Sequence, residues 1–302
     1  MLPAEIVAQI RRLQLTARRA VADELGGAYH SIYKGAGLAF EEVREYQPGD
    51  DVRSIDWNVT ARAGRPYIKR YIEERERTLL LLVDISGSTA LGSCRVTKRT
   101  VAAEVAALLA MSASANGDAV GLIAFTDRVE HHVRPARSPR HITRLIYDIL
   151  CLTPQRPGTS LRTALDYLQR VQRRRAIVFL ISDFLDQEYQ RALLLATRRY
   201  DVTAVRIRDP LEHALPAVGR LRLRDSEQGT ELIVYAGRAR DQKTFTATLQ
   251  VADQEFAHAT AGGSVGVLTL DTSGQHLQAV LRYFRQAARR PNATPRRTRT
   301  QR

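Results

Sequence analysis

Thr78-Leu79-Leu80-Leu81-Leu82-Val83-Asp84-Ile85-Ser86-Gly87-Ser88 is the stretch that decides the fold. A continuous apolar run from Leu79 to Val83, with no alternating polar residues, describes a strand buried on both faces, as in a parallel sheet covered by helices. The run breaks off in a carboxylate and two hydroxyls. Polar chemistry is therefore placed at the carboxyl end of a central strand, where doubly wound sheets bind their ligands.

Downstream the texture repeats. A helix is expected over Val96 to Ala115, stopped by Asn116-Gly117, then a strand over Ala119 to Phe125. Helices follow at Arg140 to Leu152 and Ser160 to Gln172, and a second all-apolar strand at Ala176 to Ile181. Helix Tyr189 to Tyr200, strands Val202 to Ile207 and Val265 to Leu270, and helix Gln275 to Ala288 complete the pattern. Strands alternating with helices of this length predict an α/β fold: a doubly wound, mostly parallel sheet with helices on both faces. One interruption, Arg220 to Arg224 and Glu231 to Tyr235 around Asp225-Ser226-Glu227-Gln228-Gly229, reads as a β-hairpin on the sheet edge, followed by a helix over Asp241 to Ala261.

Upstream, Pro3 to Leu25 carries Ile6, Ile10, Leu13, Ala17 and Val21 at near-helical spacing and reads as an amphipathic helix that Gly26-Gly27 stops. Ser31 to Arg77 is rich in turn formers and reads as short strands and loops, with Trp57 expected to pack the segment onto the main domain. Asp50, Asp51 and Asp56 follow Pro48-Gly49 and face Arg44, Arg53 and Arg62, so they read as turn and ion-pair residues rather than a second metal cluster. Three parts result: an N-terminal segment over residues 1–77, a main domain over 78–290, and a basic tail over 291–302 expected to be disordered.

The 302 residues, 44% hydrophobic and 26% charged, are enough for a large core without disulfides or metals. Only Cys94 and Cys151 are present, which excludes a disulfide framework and a cysteine-rich zinc site and fits a reducing compartment. No apolar run reaches about eighteen residues, and the first twenty lack the apolar centre of a secretory signal, so the expected location is cytoplasmic. There is no G-x-x-x-x-G-K-[ST] loop, no G-x-S-x-G elbow and no H-E-x-x-H. His131-His132, adjacent on a strand, point to opposite faces and cannot easily share an ion. The chain is expected not to be an enzyme. Its charge of +14, from 46 Lys+Arg against 32 Asp+Glu, is concentrated in a tail without aromatics, which favours a solvated tail over a nucleic-acid surface.

The site is read from oxygen donors at neighbouring strand ends. Asp84, Ser86 and Ser88 end the first apolar strand; Pro157-Gly158-Thr159-Ser160 brings a hydroxyl from Thr159 or its neighbour; Asp183 ends the second apolar strand. Hard donors with few charges suit Mg²⁺, with Mn²⁺ and Ca²⁺ as alternatives.

Asp-x-Ser-x-Ser after an apolar strand, a Gly-Thr loop, and an Asp after a later strand resemble the metal-ion-dependent adhesion site of von Willebrand factor A domains. The resemblance implies that Ser86, Ser88 and Thr159 bind the metal directly, that Asp84 and Asp183 act mostly through water, and that a partner's carboxylate completes the shell. The stretch from Phe40 to Trp57, followed by Thr60-Ala61-Arg62, resembles the signature of bacterial domain-of-unknown-function family 58, which sits just ahead of such a strand. That resemblance implies a non-enzymatic interaction protein working with a MoxR-type AAA+ ATPase or its client. Two other classes stay open: a metal-dependent phosphoester hydrolase using Asp84 and Asp183, and a nucleic-acid-binding protein driven by the Arg-rich tail.

Overall fold

A computed structural model of the chain describes residues 4–21, 25–33, 38–73, 77–94, 96–212, 219–224, 227, 229–262 and 265–289. The basic tail at 291–302 lies outside the described residues. In chain order the elements are α1 (Ala4–Ala20), α2 (Gly26–Tyr33), β1 (Leu38–Glu45), α3 (Trp57–Ala63), β2 (Tyr67–Glu73), β3 (Thr78–Asp84) and α4 (Lys98–Ala115). Then come β4 (Ala119–Phe125), β5 (Val129–Ala136), α5 (Pro139–Cys151), α6 (Leu161–Val171), β6 (Ile177–Ser182) and α7 (Gln190–Thr197). β7 (Asp201–Arg208), β8 (Arg220–Arg224), β9 (Glu231–Tyr235), α8 (Ala239–Ala261), β10 (Gly266–Asp271) and α9 (His276–Arg289) complete the chain.

Six strands form one sheet in the order β10-β7-β6-β3-β4-β5, all parallel except β5, which runs antiparallel to β4. The apolar run of β3 is hydrogen-bonded on both sides, Leu79 to Val83 pairing with Val120 to Ala124 of β4 and with Ile177 to Ile181 of β6. Leu79, Leu81 and Val83 pack with α1, α2, α4, α5 and α9; Leu80 and Leu82 pack on the other face with α6, α7 and α8. Both faces are dry, so no polar alternation survives in the strand. The chain leaves β3 for β4 on one side and returns through α5 and α6 to β6 on the other. The carboxyl ends of β3 and β6 therefore flank a topological switch point, the crevice where such sheets bind ligands.

α4 lies between the sheet and the outer helices α1 and α5, which explains its alanines: Ala102, Ala103, Ala106, Ala107 and Ala110 are all buried, and larger side chains would hold the layers apart. Ile10, Leu13 and Ala17 of α1 repeat at i, i+3 and i+7 and join the same core. Gly26-Gly27 does not end the helical region as expected; the second helix begins there, and its Tyr29 stacks on Phe284 of α9 at 6.2 Å between ring centroids. The Tyr29 hydroxyl donates to the buried Asp118 carboxylate at 3.0 Å. Tyr29→Phe is therefore expected to cost about 1–3 kcal/mol in urea unfolding, because Asp118 loses a donor that water cannot replace. An unchanged midpoint would mean that the hydroxyl contributes nothing to holding this helix.

Two further expectations change. The β8–β9 hairpin is a two-stranded sheet of its own; the edges of the main sheet are β10 and β5. Trp57 does not plug the N-terminal segment: it opens α3, a two-turn helix without buried residues, and is 68% exposed. Asp50 and Asp56 behave as turn chemistry requires. Asp50 takes both Arg44 guanidinium nitrogens at 2.9 and 2.7 Å and the Gln47 N–H, and Asp56 caps α3 by accepting the Asn58 N–H at 3.0 Å.

Candidate functional site

Three loops meet at the switch point. The first follows β3, where Asp84 is buried and its Oδ1 accepts the Ser86 backbone N–H at 2.9 Å. This bond curls the chain back so that the Ser86 and Ser88 hydroxyls lie 3.1 Å apart. The second loop joins α5 to α6. The Gly87 N–H donates to the Pro157 carbonyl at 2.8 Å and ties it to the first. The third follows β6, where Ser182 donates its hydroxyl to Asp84 Oδ2 at 2.6 Å and Asp183 comes next.

Thr159 and Ser160, equivalent in the sequence, separate here. The Ser160 hydroxyl caps α6, accepting the Thr163 N–H at 3.2 Å and contacting the Thr163 hydroxyl at 2.9 Å. Thr159 is left for the site. Its hydroxyl donates at 2.6 Å to the carboxylate of Glu227, from the turn of the β8–β9 hairpin.

Asp183 lies beside Asp84 but is already engaged. Its Oδ2 accepts Lys98 Nζ at 2.7 Å, and its Oδ1 takes the Leu185 N–H at 3.3 Å. The same ammonium also pairs with Glu212. Lys98 has 2% of its side chain exposed, Asp183 3%. Burial alone would push the Lys98 ammonium down, and Asp183 and Glu212 together more than reverse it, so its pKa rises. Asp84 has no cation within ion-pair distance among the described residues. Burial, and then the neighbouring Asp183 charge, push it up to about 7 against the bonds from Ser182 and Ser86.

The sequence pattern does not single out Lys98, Glu212, Ser182 or Glu227. Lys98 had a signal: a lysine in the first turn of α4 opposes the helix dipole and calls for a carboxylate nearby. Glu227 had none, because its contact joins residues 68 positions apart. His131 and His132 do part company, the first meeting Asp148 at 3.1 Å and the second the Tyr167 hydroxyl at 3.0 Å.

The donor set suits a small hard cation. Octahedral Mg²⁺ with oxygens at 2.0–2.1 Å sets neighbouring ligands about 2.9 Å apart. The Ser86–Ser88 spacing of 3.1 Å and the Thr159–Glu227 spacing of 2.6 Å lie on either side of that edge. Among the described residues no three His, Cys, Asp or Glu side chains gather to hold an ion, so hydroxyls would carry the first contacts.

The rim is apolar. Leu91, Leu185 and Leu211, on the loops after β3, β6 and β7, are each about 40% exposed. Asp209, fully buried, braces this rim by accepting the Ser93 N–H at 2.8 Å, the Thr272 hydroxyl at 2.8 Å and the Leu211 N–H at 3.0 Å. No helix of the described residues is long and apolar enough to cross a membrane.

The family model described as "Protein of unknown function DUF58" matches residues 42–255. An uncharacterized protein of Mycobacterium bovis, Mb1516, is 33% identical over 294 residues, 96% of this chain and 91% of that protein. Among solved structures, the conserved hypothetical protein BatB from Bacteroides thetaiotaomicron is 16% identical with a TM-score of 0.44, covering 71% of this chain and all of that one. The SpRpn10 VWA domain is 14% identical with a TM-score of 0.38, covering 68% of this chain and 93% of that domain.

Proposed function

Because this chain belongs to the family described as protein of unknown function DUF58, we propose that it is a non-enzymatic, cytoplasmic interaction protein whose switch-point crevice recognises an acidic side chain through a bound divalent cation. Ser86, Ser88 and Thr159 would hold Mg²⁺, with Asp84 and Asp183 orienting the groups around it. The bound ion would supply a fixed positive charge that accepts a carboxylate oxygen. The observation that supports this reading is that the Ser86 and Ser88 hydroxyls lie 3.1 Å apart beside the buried Asp84, on a loop tied by the Gly87 N–H to Pro157 of the loop that carries Thr159.

The chain's own residues do the rest. Ser182 and the Ser86 N–H fix the Asp84 carboxylate in one orientation, and Lys98 keeps Asp183 from repelling it further. The exposed leucines of the rim offer apolar contact around a charged centre, the arrangement of a protein-binding hot spot. A chain of net charge +14 favours an acidic partner by long-range attraction. The family resemblance makes a MoxR-type AAA+ ATPase, or a client it remodels, the partner to test first.

The test is capture of that ATPase by immobilised protein in Mg²⁺ and in EDTA, with wild type and with Ser86→Ala/Ser88→Ala. Outer-shell residues of metal sites typically contribute 10–100-fold to affinity. Removing two direct ligands is expected to weaken metal binding by more than about 100-fold and to abolish capture, as EDTA does. Capture that survives both treatments would remove the metal from the account.

A further inference from the structure

We infer that Glu227 is a sixth residue of this site: the chain's own carboxylate, standing where a partner's acid enters. The inference rests on the reading of the crevice as a cation site. A carboxylate oxygen 2.6 Å from the Thr159 hydroxyl is a short, charge-assisted bond. If Thr159 ligates the ion through that oxygen, Glu227 is within one ligand edge of it and becomes a neighbouring ligand with little movement. It reaches the Thr159 hydroxyl from a hairpin outside the main sheet, as a partner's acid would.

The element that delivers it is built to move away. Among the described residues the β8–β9 hairpin pairs with no other strand, and no other element packs extensively against it. Of its described side chains, Arg220, Arg222, Glu231, Ile233 and Tyr235 are exposed, and Leu221 and Val234 are half-buried. Two strands alone are marginal in water, so the hairpin's position depends on its ends. At the base Ala236 is buried and its N–H donates to the Gly219 carbonyl at 2.9 Å. At the tip, the Glu227–Thr159 bond reaches across to the loop that opens α6. The turn includes Gly229 at φ +71°, a left-handed conformation suited to glycine. An acidic group with better surroundings than a lone hairpin tip, such as one flanked by apolar residues for Leu91, Leu185 and Leu211, would displace Glu227 and free the hairpin with its exposed Ile233 and Tyr235. Recognition and release of the hairpin would then be one event.

Titration with Mn²⁺, followed by the relaxation of water protons, tests this on the full chain. Wild type, Glu227→Gln and Glu227→Ala are compared, then challenged with acetate as a free carboxylate. In wild type, bound Mn²⁺ is expected to show low relaxivity that acetate does not change. In both variants affinity falls about 10-fold, each bound ion relaxes more water, and acetate reverses the gain. Mn²⁺ binding with the same relaxivity and the same acetate response in all three proteins overturns the role of Glu227 and leaves the cation site standing. Absence of Mn²⁺ binding in wild type and variants alike overturns the cation site, and the inference with it.

Discussion

Replacing Lys98 by alanine is expected to cost about 3–5 kcal/mol of folding stability, the loss typical of breaking a buried ion pair from one side. The ammonium sits between Asp183 and Glu212, out of solvent, and nothing else among the described residues forms an ion pair with Asp183. Without it the Asp183 charge stays buried beside Asp84, whose own carboxylate already feels it. Lys98→Met keeps most of the side chain's volume and is expected to lose nearly as much, because charge and not packing is at stake. Lys98→Met combined with Asp183→Asn is expected to recover part of the loss, since an amide needs no counter-ion while Glu212 still lacks its own. Urea unfolding of the three variants measures this. A small loss for Lys98→Met beside a large one for Lys98→Ala would show that the lysine matters as packing.

The second large effect is a dependence on pH in the metal-free protein. In the fold, burial and then the charge of Asp183 push Asp84 from the ordinary carboxylate range up to about 7. Between those limits the folded chain holds a proton that the unfolded chain has lost, so stability falls as pH rises through this window and levels off above it. The whole fall amounts to roughly 4 kcal/mol. Asp84→Asn carries no such proton. The difference between its unfolding free energy and that of wild type is expected to grow in favour of the variant from about pH 4 to about pH 7. On the proposed reading, saturating Mg²⁺ would hold Asp84 ionised in the wild-type fold and is expected to remove the slope. Parallel curves for the two proteins without metal would mean that Asp84 is ionised throughout and that its partners solvate it well.

Much of the fold was legible because its central strands are buried on both faces. Leu79 to Val83 and Ala176 to Ile181 admit few other readings, and their polar ends mark the switch point directly. The β8–β9 hairpin was legible as local alternation around a turn, but its partner strands were not. Register with a sheet edge is decided by contacts distant in sequence, and among the described residues the hairpin pairs only with itself. Trp57 misled for a related reason: a large apolar side chain says that burial is favourable, not that the local helix turns it inward. Gly26-Gly27 misled because glycine's intrinsic cost in a helix, about 1 kcal/mol each, is small beside the burial of Tyr29 and Leu25.

In the site, the sequence pattern led to Asp84, Ser86, Ser88, Thr159 and Asp183, whose spacing follows the strand ends. It did not separate Thr159 from Ser160, because a hydroxyl that caps a helix and one that faces a crevice look alike until the helix start is placed. It also missed the charges around Asp183. Lys98 belongs to α4 and Glu212 to the loop after β7, and only the sheet order brings them together.

The most direct test of the central claim is anomalous scattering at the manganese edge from crystals of the full chain grown in Mn²⁺. A peak within bonding distance of the Ser86, Ser88 and Thr159 hydroxyls is the expected result. A crevice without anomalous density at saturating Mn²⁺, or a peak held by other residues, would contradict a cation site built from those three hydroxyls.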